Sequence, residues 1–142
     1  MADIIYTYDA PSAQAFAQLR EDCGWGRIGE ALAQKAIENS LVFVSAYTQD
    51  ALIGFGRVIG DGALNYYIQD LIVVEAYQGQ GVGKTILGRL LESIDENAQS
   101  GASIGLMAAV GREAFYIQFG FEKRPNMVYG AGMTRNVGKT VD

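Results

Sequence analysis

The sequence predicts an α/β (α+β) domain built on a mixed, mostly antiparallel sheet with one parallel β-α-β crossover and helices on both faces. Three observations carry this. Apolar runs at 41–48, 52–59 and 64–74 are separated only by short turn signals, which reads as an antiparallel meander. The third run is followed by a glycine loop, a strongly periodic helical stretch and another apolar run, the order of a right-handed parallel crossover over 66–110. Two helical patterns precede the meander and a shorter one follows the crossover, enough to cover both faces of a sheet.

Taken in order, residues 11–22 (P-S-A-Q-A-F-A-Q-L-R-E-D) form a helix that Ser12 can cap, with Phe16 and Leu19 on one face. G-W-G at 24–26 ends it. Residues 28–38 form a second helix with Ile28, Leu32 and Ala36 at helical spacing. L-V-F-V-S-A-Y-T and L-I-G-F-G-R-V-I form a hairpin about Gln49-Asp50, and Asp61-Gly62 turns the chain into the long third strand. Residues 83–97 carry the clearest helical stripe, Ile86, Leu87, Leu90, Leu91 and Ile94, with Glu92, Asp95 and Glu96 outward. S-I-G-L-M-A-A-V (103–110) is a buried strand. Residues 112–119 form a short helix that Gly120 ends. F-E-K-R-P and M-V-Y-G-A-G-M then close the sheet with a last antiparallel strand.

At 142 residues the chain is expected to be one domain, 1–142, with an ordinary core. No apolar run approaches the ~20 residues of a membrane helix, and M-A-D-I-I-Y-T-Y-D-A has neither a basic leader nor an apolar signal core. A cytoplasmic protein with no membrane contact is the expectation. The net charge of -5 speaks against a general nucleic-acid binder and suits a cationic small substrate. Histidine is absent and Cys23 is the single cysteine. Ser-His-Asp and Cys-His catalysis are therefore excluded within this chain, and so are a Cys/His zinc site and an internal disulfide. No metal is expected. A general base has to be a carboxylate, a tyrosine, a lysine, the chain terminus or a relayed water.

The stretch Y-Q-G-Q-G-V-G-K-T, Tyr77 to Thr85, is shaped for a phosphate group. Gly83-Lys84-Thr85 supplies the end of the nucleotide P-loop G-x-x-x-x-G-K-[ST], but Gln78 stands where the first glycine belongs, which leaves a P-loop nucleotide binder as the third reading. The stretch is not G-x-G-x-x-G, since Gly79, Gly81 and Gly83 alternate. It suits a loop that wraps a pyrophosphate with successive backbone N–H groups at a helix N-terminus, where glycine lets the backbone approach the anion. The plain alternative is a glycine-rich turn without a ligand.

Gln78-Gly79-Gln80-Gly81-Val82-Gly83 resembles the pyrophosphate loop [QR]-x-x-G-x-[GA] of the GNAT superfamily, the Gcn5-related N-acetyltransferases. Ala114 to Phe121, A-F-Y-I-Q-F-G-F, is similar to the family's A-x-Y-x-x-x-G-F segment. The resemblance implies a GNAT fold, acetyl-CoA as cosubstrate and transfer to a primary amine, either on a small molecule or on a protein or peptide. It also implies that Gln78, Gly79, Gln80, Gly81, Val82, Gly83, Lys84 and Thr85 hold the CoA pyrophosphate. Backbone groups of Leu71, Ile72 and Val73 would pair with the pantetheine arm like an added strand, one of them polarising the thioester carbonyl. Tyr116 falls where the family carries its tyrosine general acid, the alternative being a core aromatic beside Phe115 and Phe119.

Asp70 is the first candidate base. It lies in an apolar run where burial would raise its proton affinity, and its alternatives are a structural carboxylate or one that only binds the amine. Glu75 and a water relay remain as other routes. Trp25, Phe55, Tyr66 and Tyr67 are candidates for the acceptor pocket, though each is more often core. G-W-G, the Asn39-Ser40 pair and Y-Q-G-Q-G further resemble a plant and cyanobacterial branch that acetylates serotonin-like amines and sometimes protein lysines. An aromatic floor with an acidic residue suits an arylalkylamine. Family habit implies a homodimer. The rival class is a catalytically silent CoA-binding or sensing module on the same fold.

Overall fold

The computed structural model describes residues 3–138, so both ends of the expected 1–142 domain lie outside the described residues. The chain divides into two compact units, Met1–Leu106 and Met107–Asp142.

The first unit is a five-stranded sheet with the strands in chain order, β1 (Ile5–Thr7), β2 (Val42–Thr48), β3 (Ala51–Gly60), β4 (Asn65–Val73) and β5 (Ser103–Gly105). The first four are antiparallel neighbours, and β5 runs parallel to β4. This is the mixed, mostly antiparallel α+β architecture the sequence predicts. The edge strand β1 is an addition: three residues carry too little alternation to be read from sequence. The hairpin turn falls at Gln49 and Asp50, with φ of 49° and 66°, the doubly left-handed geometry that matches strand twist. At the next turn the Asp61 carboxylate accepts N–H bonds from Ala63, Leu64 and Asn65 at 2.8–3.0 Å.

Helix α1 (Ala13–Asp22) is capped as expected, Ser12 Oγ accepting from Ala15 N at 3.1 Å. With α2 (Glu30–Glu38) it covers one face of the sheet. Phe16 packs on Phe55 and Phe43 with ring centroids 5.1 and 6.2 Å apart, and Ala13, Leu19, Ala33 and Ile72 complete this core. The inward face of α2 is Ala33, Ala36 and Ile37; Leu32, expected inside, is 60% exposed. The helix starts at Glu30, two residues later than expected.

Helix α3 (Val82–Asn97) buries Val82, Ile86, Leu87, Leu90 and Ile94. A Cβ at Gly56 would lie 2.9 Å from Leu90 Cδ1 and 3.0 Å from Ile86 Cγ2, so the helix comes down on β3 where a side chain is missing. Arg89 reaches β1, its guanidinium 5.0 Å from the Tyr6 ring centroid.

In the second unit, α4 (Glu113–Ile117) carries a cluster of rings. Phe115 meets Tyr116 edge-on at 5.1 Å, Tyr116 meets Phe121 at 6.1 Å, and Phe115 meets Phe119 at 5.5 Å. Two expectations are corrected here. The strand expected over 103–110 ends at Gly105. The closing strand expected from F-E-K-R-P and M-V-Y-G-A-G-M does not form among the described residues. There Pro125 brings no N–H to a ladder. The Asn126 side chain accepts from Val128 N and Tyr129 N at 2.9 Å, which curls the segment into a turn.

Candidate active site

The site is built on a break in β4. Phe55 pairs with Ile72, and Arg57 pairs with Gln69, so Gly56 alone faces both Asp70 and Leu71. The extra residue makes a β-bulge. Asp70 takes it up with φ 58°, a left-handed conformation that Asp and Asn tolerate better than other non-glycine residues. Strict alternation would place Asp70 and Gln69 on opposite faces. The bulge sends both toward α1, where Gln69 Nε2 donates to Asp70 Oδ1 at 3.1 Å.

The bulge also fixes which backbone groups face outward. Val74 N donates to Ile53 O at 2.8 Å, and two residues earlier Ile72 pairs with Phe55. By the alternation of an antiparallel ladder, Ile72 and Val74 turn to β3, while Leu71 and Val73 turn to the other edge. On that edge, among the described residues, β5 pairs with Asn65, Tyr66 and Tyr67 and no strand pairs beyond them. Of the three residues expected to bond an incoming arm, then, Leu71 and Val73 face the open edge and Ile72 does not. The Val73 carbonyl accepts from Gln78 Nε2 at 2.9 Å, which ties the glycine loop to the strand end.

The loop follows a 3-10 turn at Glu75–Tyr77. Gly79 and Gly81 have φ of 79° and 85°, and a Cβ on either would meet nothing within 4 Å. Their lack of a side chain is required by backbone conformation and leaves open space beside the loop. Gly81 caps α3 without any side-chain bond, so the first N–H groups of the helix (Val82, Gly83, Lys84) have no capping acceptor. Successive free donors at the positive end of a 16-residue helix fit a pyrophosphate. Val82 is buried and anchors the turn, whereas Lys84 and Gln80 are exposed. Gln80 Nε2 donates to Ala76 O at 3.4 Å, and Thr85 Oγ1 donates to Gly81 O at 2.9 Å, so the threonine hydroxyl steadies the first turn.

Asp70 is buried, but it is not alone. Its side chain has no exposed surface, and it is paired with Arg20 and, at 2.8 Å, with Arg57 Nε. Sequence reasoning missed both arginines, which lie 50 and 13 positions away with no local pattern linking them. An amine would have to displace a guanidinium to reach either carboxylate oxygen, and a general base must lie within hydrogen-bond reach of the proton it takes.

The expected aromatic pocket is dispersed. Phe55 is fully buried in the core with Phe16 and Phe43, and Tyr66 is buried within the fold. Tyr67 is half-buried on β4. Trp25 is 43% exposed, with the Arg20 guanidinium 5.5 Å from its ring centroid. In the second unit, burial raises the Tyr116 hydroxyl above its ordinary 10.0, and nearby Arg112 offsets part of that rise. Tyr116 is therefore protonated at neutral pH. Among the described residues no cluster of three or more His, Cys, Asp or Glu side chains is arranged to hold a metal ion, and no helix is long and apolar enough to cross a membrane.

A family model described as an acetyltransferase (GNAT) domain matches residues 10–135. An uncharacterized ycf52-like N-acetyltransferase of Prochlorococcus marinus is 32% identical over 112 residues, covering 76% of this chain and 61% of that protein. The chloroplastic serotonin N-acetyltransferase 2 of Oryza sativa subsp. japonica is 28% identical over 120 residues, covering 80% of this chain and 58% of that protein. The chain thus spans roughly half to two thirds of the length of the curated relatives it matches. A crystal structure of a probable acetyltransferase from meticillin-resistant Staphylococcus aureus superposes with a TM-score of 0.86 at 32% identity, covering 94% of this chain and 99% of that one.

Proposed function

The chain belongs to the GNAT acetyltransferase family, and we propose that it acts as a single domain moving an acetyl group from acetyl-CoA directly to a primary amine. The observation that carries this reading is the uncapped glycine loop at the end of β4, next to a strand edge that β5 leaves open. Acetyl-CoA supplies the acetyl group as an activated thioester. The N–H groups of Val82, Gly83 and Lys84 hold its pyrophosphate, and Gly79 and Gly81 keep side chains out of the way. Leu71 and Val73 present backbone N–H groups at the open edge, one to position the arm and one to polarise the thioester carbonyl. Tyr116 gives its proton to the departing sulfur as the carbon–sulfur bond breaks. The new carbon–nitrogen bond leaves a proton on the amine, which passes to solvent water, since both Asp70 oxygens are taken.

For the acceptor we propose an arylalkylamine such as serotonin. Two facts support it: the name of the rice relative and the exposed Trp25, just past α1 and against the Arg20 guanidinium that also holds Asp70. The test is thiol release from acetyl-CoA with a panel of serotonin, tryptamine, a polyamine, an amino-sugar and a lysine peptide. Amine-dependent release fastest with the arylalkylamines supports the whole reading. Fastest release with another amine corrects the acceptor alone. CoA binding without release from any amine points to a silent CoA-binding module.

A further inference from the structure

One carboxylate joins four elements of the first unit. Asp70 Oδ1 accepts from Arg20 Nη1, in the last turn of α1, and from Gln69 on β4; Oδ2 accepts from Arg57 Nε on β3 at 2.8 Å. Arg57 Nη1 donates onward to Ser40 Oγ at 3.0 Å, and Ser40 Oγ donates to Ala36 O at 2.8 Å, near the end of α2. Both guanidiniums lie against the Phe16 ring, at 5.9 and 5.6 Å from its centroid. Stability alone does not favour such an arrangement, because a buried ion cluster is often no better than apolar side chains of the same volume. Nor does stability favour an aspartate at φ 58° in mid-strand. What the cluster does hold is the bulge, and the bulge sets the frame of the residues that follow it.

We propose that Arg20 and Arg57 are positioning residues: by clamping Asp70 they fix the bulge of β4 and so set where Leu71 and Val73 present their N–H groups to the thioester. The proposal rests on the transferase reading above. In it Asp70 serves the reaction through the clamp and takes no proton from the amine. Arg57 is the informative residue, because its fork bonds the carboxylate with Nε and the end of α2 with Nη1, and a lysine cannot do both.

The test uses Arg57→Lys and Asp70→Asn in the full chain, with Ser40→Ala as a milder change that removes the acceptor of Arg57 Nη1 and the Ser40 bond to Ala36 O but leaves Asp70 and both arginines in place. The first readout needs no ligand: amide exchange at Val74, whose N–H is covered by β3, should quicken by about tenfold or more in Arg57→Lys, and less in Ser40→Ala. The second is kinetic. In both Arg57→Lys and Asp70→Asn, kcat/KM for acetyl-CoA should fall by about tenfold or more while the acidic limb of the pH–rate profile stays in place. If Arg57→Lys fails to fold, the same two readouts on Ser40→Ala decide, with the same sign expected. Unchanged exchange at Val74 overturns the clamp whatever the activity. Loss of the acidic limb in Asp70→Asn, with Arg57→Lys close to wild type, overturns it in favour of Asp70 as the base. Quickened exchange in a protein that transfers nothing overturns the transferase reading and leaves the clamp supported.

Discussion

The sequence pairs Tyr116 and Asp70 as candidate acid and base, and their surroundings separate them. Tyr116 is half-buried among rings, and burial raises its hydroxyl above the ordinary 10.0. A raised value means the folded protein binds that proton more tightly than the unfolded chain does. The acid form therefore still predominates at pH 10, and the stability linked to it, fully present below the unfolded value, is lost as pH rises through the folded value. Wild-type turnover should accordingly climb from pH 7 toward 9 as the amine loses its proton, with no fall from tyrosine ionisation in that range. Tyr116→Phe should lower kcat by about 10²–10⁴ across it, with CoA affinity kept. A pH–rate series on both proteins checks this; near-normal kcat together with a normal pre-steady-state chemical step in Tyr116→Phe removes the hydroxyl from the mechanism. Asp70, in contrast, has its oxygens engaged by two arginines. That arrangement was illegible in sequence because burial and pairing look the same from one residue, and the partners come from α1 and β3.

Among the elements, strong periodicity and turn signals make the helices, the hairpin and the crossover legible in the sequence, whereas the bulge, which exists only in the register of two strands, is not. The stripe of α3 and its glycine start are local patterns, so the helix and its loop were found within a residue of their observed bounds. A bulge has no local pattern. Nothing in Q-D-L-I-V says that two of these residues share one partner, and Phe55 looks like any other candidate pocket aromatic until α1 is seen lying on it. Gly56, opposite the bulge, gives the element-scale prediction. A Cβ there meets Leu90 Cδ1, Ile86 Cγ2 and, at 3.2 Å, Leu71 Cδ1. Gly56→Ala should cost about 1–3 kcal/mol from overpacking, read as a lower urea midpoint at unchanged slope; an unshifted midpoint would show that α3 yields freely there. The β3–β4 turn gives another. Asp61 accepts three backbone N–H bonds, which lower its carboxyl from 3.8 to about 2. A lowered folded value means stability is present above the unfolded value and is lost as pH falls from about 4 toward 2. The gap in urea midpoint between wild type and Asp61→Ala should therefore close over that window. A gap that stays constant with pH would assign the turn's stability to something other than the carboxylate.

At the scale of the whole molecule, the features proposed for binding and for proton delivery belong to different units. The glycine loop and the open edge of β4 lie in Met1–Leu106, and Tyr116 lies in Met107–Asp142. The closing strand expected after Gly120 gives way to a turn that the Asn126 side chain closes, a bond that strand order alone does not reveal. Because the two roles sit on separate residues, linkage can tell them apart. A ligand that binds only the folded state stabilises it by about 2.7 kcal/mol at a hundredfold excess over its Kd, and at this chain length each kcal/mol moves Tm by a few degrees. CoA should raise the Tm of wild type and of Tyr116→Phe equally, and ATP at the same concentration should raise neither. Gly81→Val forces a β-branched residue to φ 85°. That should lower the ligand-free Tm by an amount matching roughly 1–3 kcal/mol and, by setting a side chain where the loop has open space at the start of α3, abolish the CoA shift. A CoA shift that survives in folded Gly81→Val would detach the loop from the pyrophosphate. An ATP shift in its place would make the chain a nucleotide binder despite Gln78. Equal CoA shifts in wild type and Tyr116→Phe, with transfer only in wild type, would show that binding and proton delivery are separable, as their placement on different residues requires.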